Sequence, residues 1–528
     1  MNNFSGRSLC VIDDFSKEER LYLFSLVRKL KKAVKENDTA LVDSFRINDP
    51  DYGIYEVFLE DSTRTKESFR NAISFHHAKS TVMSTESSSF NKGESYADTF
   101  NTLCGYNNRI FIIRSRVEGV CAYLRQECGE FALRNDLGYT PVFINAGDGK
   151  HEHPTQELLD EYTFLEDNSW DTSYLHIALV GDLYHGRTVH SKADGLKLWD
   201  RVKVDLIAPD ELAMPESYVT RMKDNGFEVR TFKSIEEYLK ADDDVADKWY
   251  FTRPQLERMG EKILQRQEEL RGAITFREEF MPLIKEGTKF YHPLPRHKEH
   301  PTIPTFLDKT PLNGWERQSI NGMYTRIVLL GLVSGKLGDD FVPEMKPVEK
   351  KEVQDYEWIH SVEPENNRKR EISEGVNPIR NGIVIDHILK GEKPEEIRRH
   401  MILIRRVMNL DGLKGGEWVS QGKSGLYKGI IFRPGFFDLD HKQIKRLATV
   451  APGCTLNIIE DGKVVKKIRT EMPPRIYNFD DLMCTNEACI SNDTQSEHVG
   501  AMFYRTTDGK YSCAYCGRAH SFKEIFRH

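Results

Sequence analysis

Short apolar runs alternate with amphipathic stretches from Leu21 to about Gly335. The runs typical of buried strands are Ile54–Leu59, Arg109–Ile113, Pro141–Asn145, Tyr174–Val180, Val202–Ala208, Glu228–Phe232, Lys248–Phe251 and Lys289–His292. Between them, helical periodicity marks Lys66–His76, Glu94–Gly105, Val117–Ala132 and Thr155–Phe164. This alternation predicts βαβ units and a parallel sheet. Because roughly 300 residues exceed one ordinary core, we predict two α/β lobes, with the helix Gly314–Val333 returning to close the first.

The pattern changes after this region. In residues 339–373, 16 of 35 positions are charged, which predicts a linker over 339–375. The apolar group Tyr356, Trp358 and Ile359 is the exception, because it can dock on a neighbouring surface. Strand patterns then recur at Gly382–Ile388, Gly429–Phe432, Thr455–Ile459 and Val464–Ile468, around helix patterns at Glu395–Met408 and Asp440–Val450. They predict a small α+β domain over 376–477 and a cysteine-rich module over 478–528.

Composition narrows the classes of function. The chain has 528 residues, 39% of them hydrophobic, and a net charge of −7 from 75 basic and 82 acidic residues. This near-balance argues against a general nucleic-acid binder. The most apolar run, Ile327–Val333, is too short to span a bilayer, and the N-terminus has no secretory pattern. We therefore expect a cytoplasmic protein with neither a membrane nor a nucleic-acid partner.

Candidate chemistry lies where predicted strands end. The segment Asp61–Thr65 follows a strand and opens a helix, so that amides, hydroxyls and Arg64 can cradle a phosphate. Taken alone this segment favours an ordinary helix cap. Arg114, His153–Gln156 and His292–Arg296 also follow strands, however, and open α/β sheets bind ligands at the carboxyl ends of their strands.

At these residues the sequence resembles the transcarbamylase family, and within it aspartate carbamoyltransferase. The matching segments are Ser62–Thr65, Lys92–Glu94 with Ala97–Thr99, His153–Gln156, Gly181–Leu183, Gly186–Ser191, Arg253 with Gln255, and His292–Arg296. Their order and spacing match over almost all of the first 335 residues. The resemblance implies a two-lobed catalytic unit of parallel sheets: a carbamoyl-phosphate-binding lobe (1–155), an aspartate-binding lobe (156–312) and a returning helix (313–338).

The resemblance also implies a role for each matching residue. Carbamoyl phosphate would be bound by Ser62, Thr63, Arg64, Thr65, Arg114, His153, Gln156 and Leu294, and aspartate by Arg187, Arg253, Gln255 and Leu294. Arg114 and His153 would polarise the carbonyl group. Ser88 and Lys92 would enter from an adjacent subunit of a catalytic trimer, Ser88 to bind carbamoyl phosphate and Lys92 to contact both substrates. Glu94 would orient Arg64, and the catalytic residues would be Arg64, Lys92, Arg114 and His153.

The chemistry of the substrates agrees with these residue types. Carbamoyl phosphate and a dicarboxylate bring several negative charges, which guanidinium groups match well. Related enzymes that use ornithine must instead hold an ammonium group, which Arg253 would repel. Two departures from the family are Glu60-Asp61, which add negative charge beside the phosphate segment, and Pro254. Both are expected to change affinity more than chemistry.

Four cysteines near the C-terminus form two pairs. Cys484-x4-Cys489 and Cys513-x2-Cys516 are separated by 23 residues, a spacing that suits one tetrahedral structural zinc ion per chain. A single Cys-x-x-Cys pair could be redox-active, but a redox pair does not need the second one. No organic cofactor is expected. The other five cysteines, at positions 10, 104, 121, 128 and 454, are scattered as ordinary core residues are.

Residues 376–528 resemble the regulatory chain of enterobacterial aspartate carbamoyltransferase. The matching segments are Gly382–Ile388, Ala451-Pro452, Pro474–Ile476 and the four cysteines with Cys489–Ser491. In that family this region binds nucleotide effectors, so CTP and ATP are candidate ligands. Asp386, His387, Lys428 and Lys467 fall at the nucleotide-binding positions, although solvated surface charge is an alternative for the lysines.

The alternative to an enzyme is a protein that only binds ligands or regulates a partner. A non-catalytic regulatory scaffold would tend to lose the arginines that hold phosphate or acceptor. Here Arg64, Arg114, Arg187 and Arg253 are all present. The arginines therefore favour an enzyme, and the resemblance implies a role in de novo pyrimidine biosynthesis and a homo-oligomer of catalytic trimers with a fused regulatory part.

Overall fold

The computed structural model describes residues 3–83, 93–241, 244–255, 266–343, 358–364, 379–391, 393–422, 425–435, 439–495 and 497–527. The chain divides into two compact units, one built chiefly from residues 1–345 and the other chiefly from residues 346–487 and 498–528. Each unit has its own sheets. Among the described residues, no helix is both long enough and apolar enough to cross a membrane.

The first lobe of the first unit is built around a four-stranded parallel sheet. Its strands are β1 (Gly53–Phe58), β2 (Lys79–Val82), β3 (Asn108–Ser115) and β4 (Val142–Asp148), in the order β2-β1-β3-β4. Its helices are α1 (Lys17–Lys35), α2 (Thr39–Ser44), α3 (Thr63–His76), α4 (Tyr96–Gly105), α5 (Val120–Arg134) and α6 (Pro154–Asp167). Every residue of β4 is buried, as expected for a strand covered on both faces.

The second lobe has a five-stranded parallel sheet. Its strands are β5 (Tyr174–Val180), β6 (Arg201–Ile207), β7 (Glu228–Phe232), β8 (Lys248–Phe251) and β9 (Lys289–Tyr291), in the order β7-β6-β5-β8-β9. Its helices are α7 (Arg187–His190), α8 (Lys192–Gly195), α9 (Glu216–Asp224), α10 (Ile235–Ala241) and α11 (Gln267–Ile274). The chain order reverses between β5 and its two neighbours, β6 and β8, and such a switch point is where open α/β sheets bind ligands.

Helix α12 (Trp315–Val333) packs against α1, α3 and α6. Its residues from Thr325 to Val333 are all buried, so this part of the helix lies inside the core rather than on its surface. Short 3-10 turns complete the first unit at Ile12–Asp14, Leu196–Leu198, Asp210–Leu212, Glu278–Leu283 and Thr305–Leu307. The prediction of two lobes built on parallel sheets is confirmed.

The second unit has antiparallel sheets. Six strands, β10 (Ile359–Val362), β11 (Gly382–Gly391), β12 (Gly416–Gln421), β13 (Tyr427–Pro434), β14 (Thr455–Glu460) and β15 (Lys463–Thr470), are ordered β10-β15-β14-β11-β13-β12. Helices α13 (Pro394–Val407) and α14 (His441–Val450) complete this α+β part. The cysteine-rich module has four short strands, β16 (Arg475–Ile476), β17 (Phe503–Arg505), β18 (Tyr511–Cys513) and β19 (Ala519–His520), and a turn at Asp493–Gln495.

The four short strands of the cysteine-rich module were not anticipated from the sequence, and in the rest of the described chain three more strands were missed: β2, β10 and β12. Each lies at the edge of its sheet, and none of their described residues is fully buried. Strand β10 falls inside the charged segment predicted as a linker. Beside it, Trp358 is buried and its carbonyl oxygen accepts a hydrogen bond from the amide of Glu471. Tyr356 lies outside the described residues.

Gly181 fixes the chain immediately after β5. It has a φ of +120°, and a Cβ atom added to it would lie 2.5 Å from the carbonyl oxygen of Thr252. A backbone oxygen cannot move aside as the end of a long side chain can. Only glycine therefore fits where the chain passes between β5 and β8.

Gly181→Ala is expected to lower the apparent melting temperature clearly more than Gly226→Ala, which is the matched control. Gly226 also has a positive φ, +82°, but a Cβ there meets nothing within 4 Å. The control should therefore show only the conformational cost of about 1–2 kcal/mol. Thermal melts of both variants and the parent protein test this. Equal shifts would mean that the contact with Thr252 relaxes without cost.

Candidate active site and metal centre

The carboxyl ends of strands from both lobes surround one cavity of about 800 Å³ in the first unit. Eleven residues predicted from the sequence line it: Ser62, Thr63, Arg64, Thr65, Arg114, His153, Gln156, Arg187, Arg253, Gln255 and Leu294. These residues lie at or after the carboxyl ends of β1, β3, β4, β5, β8 and β9. The two parallel sheets thus bring together residues that are far apart in the sequence. Two further predicted residues, Ser88 and Lys92, lie outside the described part of the chain.

Glu94 does not belong to the cavity of its own chain. The residue is exposed and is not among the cavity-lining residues. Within the described residues, no ion pair joins it to Arg64, although the sequence predicted that it orients Arg64. In a single chain this pairing is therefore not made, because Glu94 precedes α4 while Arg64 begins α3.

The N-terminus of α3 forms one end of the cavity. Ser62 is the N-cap residue, with an extended backbone, and within the described structure its side chain makes no capping hydrogen bond. Its hydroxyl group and the first amides of α3 therefore present donors toward a ligand. Unpaired amides and the helix dipole make such a terminus favourable for an anion.

Arg114 and Arg187 are bridged by a carboxylate. Oε2 of Glu60 lies 2.9 Å from Nη2 of Arg187 and 3.5 Å from Nε of Arg114. The two guanidinium groups also donate to backbone oxygens, those of Ala146 at 3.1 Å and Gly149 at 3.0 Å. From the sequence, Glu60 was expected only to add negative charge beside a phosphate-binding segment. In the structure it compensates two partly buried cations and ties the loop after β1 to the second lobe.

His153 is neutral at ordinary pH. Pro154 occupies the first position of α6, where the lack of an amide proton costs nothing, and this places His153 at the N-cap. Burial, followed by the charges of Arg114, Arg187 and Arg326, lowers its pKa well below the usual value. Nδ1 of His153 lies 3.4 Å from the hydroxyl of Thr155. A neutral imidazole in this position can donate one N–H group without adding to the positive charge.

The turn after β9 closes the other end of the cavity. The amide of Leu294 donates to Nδ1 of His292 at 2.7 Å, and the amide of His292 donates to Gln318 at 2.9 Å. Leu294 has a φ of +55°, and the bond from Leu294 to Pro295 is cis. Burial, followed by the charge of Arg296 and other arginines, lowers the pKa of His292 to about 3. His292 is therefore a neutral acceptor that shapes this turn.

Gln255 and Arg253 follow β8. The backbone amide of Gln255 donates to Oδ2 of Asp182 at 2.9 Å, and Oδ1 of Asp182 accepts the amide of His185 at 2.9 Å. Asp182 is fully buried and so fixes the loops after β5 and β8 against each other. Sequence analysis matched Asp182 to a family segment without giving it a role.

Arg326 was missed by the sequence analysis. It lines the cavity from α12, is almost fully buried, and donates from Nη1 to Ser68 at 2.9 Å and from Nη2 toward Thr155 at 3.5 Å. Burial lowers its pKa to about 10. One charged residue inside the apolar run that ends α12 is a sequence feature that could have indicated it, because arginines are rarely buried without a reason.

The cysteine-rich module over 478–528 contains the predicted four-cysteine cluster. The sulfur atoms of Cys484, Cys489, Cys513 and Cys516 all lie within 4.8 Å of one another and are buried. Sγ of Cys484 is 3.7 Å from Sγ of Cys516, close to the edge of about 3.8 Å for a tetrahedron with 2.3 Å zinc–sulfur bonds. His520 Nε2 lies 3.3 Å from Cys484 Sγ, a position that suits a donor to a thiolate. The donor set therefore fits a structural metal ion.

The four residues predicted to bind nucleotide lie on three strands of one sheet: Asp386 and His387 on β11, Lys428 on the adjacent β13, and Lys467 on β15, which β14 separates from β11. Nζ of Lys428 is 3.1 Å from Oδ1 of Asp386, and Nδ1 of His387 is 3.3 Å from Oδ2 of the same carboxylate. The pairing of β11 with β13 is irregular between Ile385 and Ile388, and His387 has a φ of +60°. Lys467 lies on β15 and contributes to the lowered pKa of His387, for which burial is the main cause.

Four family models match the chain. They are the carbamoyl-P binding domain (7–166) and the Asp/Orn binding domain (173–333) of aspartate/ornithine carbamoyltransferase, and the allosteric domain (374–471) and metal binding domain (474–526) of the aspartate carbamoyltransferase regulatory chain. The catalytic and regulatory models thus follow each other along one chain.

Similar proteins agree with this order. "Protein PyrBI" of Treponema denticola is 64% identical over 99% of both chains, and the protein of the same name from Thermotoga maritima is 50% identical over the same shares. Among solved structures, aspartate transcarbamoylase from Trypanosoma cruzi in complex with N-(phosphonacetyl)-L-aspartic acid is 30% identical, with a TM-score of 0.52, and covers 63% of this chain and 97% of its own. The catalytic subunit from M. Jannaschii is also 30% identical, with a TM-score of 0.51, and covers 61% and 96%. The chain therefore belongs to the aspartate carbamoyltransferase family, in the form that joins a catalytic and a regulatory part in one polypeptide.

Proposed function

We propose that the cavity of the first unit binds carbamoyl phosphate and L-aspartate together and transfers the carbamoyl group to the amino group of aspartate. The supporting observation is that Arg64, Arg114, Arg187, Arg253 and His153 line a single cavity of about 800 Å³. A relative of known structure binds a compound that joins a phosphonate to aspartate, and another complex of that relative holds carbamoyl aspartate and phosphate. Such ligands need several cations at fixed positions.

The phosphate group is assigned to the N-terminus of α3. The amides and hydroxyls of residues 62–65, together with Arg64 and Arg114, supply donors on several sides of the anion. Arg114 and His153 are assigned to the carbonyl oxygen of the carbamoyl group, where charge develops during attack. Preorganised donors of this kind contribute about 3–4 kcal/mol each to acyl transfer.

The reaction needs no covalent enzyme intermediate. The neutral amine of aspartate attacks the carbonyl carbon, and the bond from this carbon to the phosphate oxygen breaks. The proton that the nitrogen loses is taken up by the phosphate that leaves. The side chains described above place the two reactants and stabilise the oxyanion, and positioning supplies much of the rate. Arg187, Arg253 and Gln255 are assigned to the aspartate carboxylates, and Leu294 to both substrates.

The complete site is proposed to need a second chain. Glu94 is exposed and unconnected to Arg64 within its own chain, which supports a contact with a neighbouring subunit instead. By the family resemblance, Ser88 and Lys92 would enter the same neighbouring cavity. The assembly is then a homo-oligomer built on catalytic trimers.

The regulatory part of the chain is proposed to bind one zinc ion per chain and nucleotides such as CTP or ATP. Four buried sulfur atoms at tetrahedral spacing support the zinc ion. The cationic groups near His387, including Lys428 and Lys467, support binding of a phosphate-bearing ligand. The enzyme is proposed to act in the cytoplasm, in pyrimidine biosynthesis.

Purified protein is expected to form N-carbamoyl-L-aspartate and phosphate, and Arg253→Ala is expected to raise the KM for aspartate about 10- to 100-fold. This range corresponds to the loss of one charge-assisted hydrogen bond. Steady-state kinetics with each substrate varied in turn measure it. Arg201→Ala, an exposed arginine of the second lobe that stacks on Tyr174, is the control and should leave the KM unchanged.

Turnover with ornithine and none with aspartate would contradict the assigned reaction. An unchanged KM for aspartate in Arg253→Ala would contradict only the role of that residue.

Subunit exchange tests the shared site. Arg64→Ala and Lys92→Ala are each expected to be nearly inactive, and mixing them should restore about one site in four, because random trimers then contain interfaces with both groups intact. Activity of the mixture after dissociation and reassembly, with the mass of the hybrids measured, is the test. No recovery in proven hybrids would place both groups in the site of one subunit.

Cys513→Ser is expected to release the metal ion and unfold the cysteine-rich module, because such small modules depend on the metal for folding. Catalysis should persist, since every assigned catalytic residue precedes position 297. Metal content, oligomer mass, nucleotide response and turnover are measured together. Cys454→Ser, a buried cysteine outside the cluster, is the control and should retain zinc. Loss of catalysis in a still-folded first unit would show that the module supports the active site directly.

A further inference from the structure

Asp160 is a buried carboxylate without an assigned role, one helical turn after Gln156 on α6. Its Oδ1 atom accepts hydrogen bonds from Nε2 of Gln156 at 2.9 Å and Nε2 of Gln318 at 2.6 Å. Its Oδ2 atom accepts from Nζ of Lys192 at 2.9 Å. All hydrogens in this cluster belong to the partners, so Asp160 acts as the acceptor for each of them.

This arrangement fixes the orientation of both glutamine amides, that is, whether the oxygen or the NH2 group faces Asp160. The amide of His292 can only donate, and it donates to Oε1 of Gln318 at 2.9 Å. Gln318 must therefore turn its NH2 group to Asp160. Gln156 also turns its NH2 group to Asp160, because a carboxylate cannot donate to an amide oxygen. The oxygen of Gln156, a residue that lines the cavity, is left as the edge for a ligand.

We propose that Asp160 is a positioning residue that makes the cavity selective for a carbamoyl group over other acyl groups. It holds Gln156 with its oxygen available to accept an N–H from the carbamoyl NH2. An acyl phosphate with a methyl group in place of NH2 cannot make this bond. The inference rests on the proposed function, because it takes the ligand of Gln156 to be carbamoyl phosphate.

Asp160→Asn tests the inference by reversing the amide of Gln156. Lys192 requires an oxygen, so the introduced asparagine is expected to turn its oxygen toward Lys192 and its NH2 group toward the glutamines. Gln318 cannot reverse without opposing the amide of His292, so it loses its hydrogen bond to position 160. Gln156 is free to reverse, and it then brings its NH2 group against that of the ligand. Lys192 keeps Glu157 at 2.7 Å, which leaves a balanced buried ion pair in the variant.

The experiment measures three constants on the full-length enzyme: the KM for carbamoyl phosphate and the competitive inhibition constants of acetyl phosphate and inorganic phosphate. Asp160→Asn is expected to raise the first about 10-fold or more and to leave the other two within about twofold. Asp205→Asn is the matched control, since Asp205 is also buried and accepts from His176, Arg230 and Tyr238 but does not line the cavity. It should leave the ratio of the constants unchanged.

A double-mutant cycle with Gln156→Met shows whether Asp160 acts through Gln156. Gln156→Met should also remove the preference for carbamoyl over acetyl phosphate, and adding Asp160→Asn should then change the ratio no further. If Asp160→Asn does not fold, Asp160→Glu, which moves the carboxylate by one methylene, should lower the same preference.

The outcomes distinguish failure of the role inferred for Asp160 from failure of the role proposed for Gln156. Equal weakening of all three ligands by the Asp160 variant, or an unchanged ratio, overturns the positioning role. An unchanged ratio in Gln156→Met shows instead that Gln156 does not contact the carbamoyl group, which overturns the proposed role of that residue and this inference with it. Loss of the preference in Gln156→Met but not in the Asp160 variants overturns the inference alone.

Discussion

The crowding of positive charge around one cavity is the constraint on which the structure of the active site depends. Arg64, Arg114, Arg187, Arg253 and Arg326 all line this space. Partly buried cations at such short range repel one another more strongly than they would in water. The site accommodates these cations through a bridging carboxylate, through backbone oxygens, and through histidines that stay neutral and so add no positive charge. His153 and His292 both have lowered pKa values, with burial as the first cause and neighbouring arginines as the next.

The same constraint explains why Glu60 lies where the sequence made it look unfavourable. A carboxylate next to a phosphate-binding segment weakens anion binding if it faces the anion. Here it faces Arg114 and Arg187. Since these arginines come from different lobes, Glu60 offsets their repulsion and also links the lobes. Binding of an anionic ligand must compete with this carboxylate, so part of the affinity for a substrate is spent on replacing it.

The sequence predicted most of the fold because buried parallel strands carry continuous apolar runs. Tyr174–Val180 and Lys248–Phe251, which are almost wholly buried, were predicted with the bounds that the structure has, and so was one exposed edge strand, Glu228–Phe232. Outside the cysteine-rich module, the missed strands are β2, β10 and β12, which lie at sheet edges and have exposed residues, so that their sequences carry no regular apolar pattern. The residues of the site were predicted through motifs and resemblance, and the structure brings eleven of them to one cavity. The pairing of Asp160 with Gln318 could not be predicted, because this hydrogen bond joins α6 and α12 across 158 residues.

The first unit and the cysteine-rich module gain their stability from different sources, and this difference bears on how one polypeptide can carry both. The first unit has large parallel sheets and a continuous buried core, so it has ample apolar area to fold by burial. The cysteine-rich module has strands of only two or three residues, and its four buried sulfur atoms fit a structural metal ion, which supplies folding energy to small modules of this kind. Among the described residues, the main buried core of the first unit includes none from this module, so each part has its own source of stability within one polypeptide. A covalent link between a catalytic and a regulatory part adds a high effective concentration of one for the other.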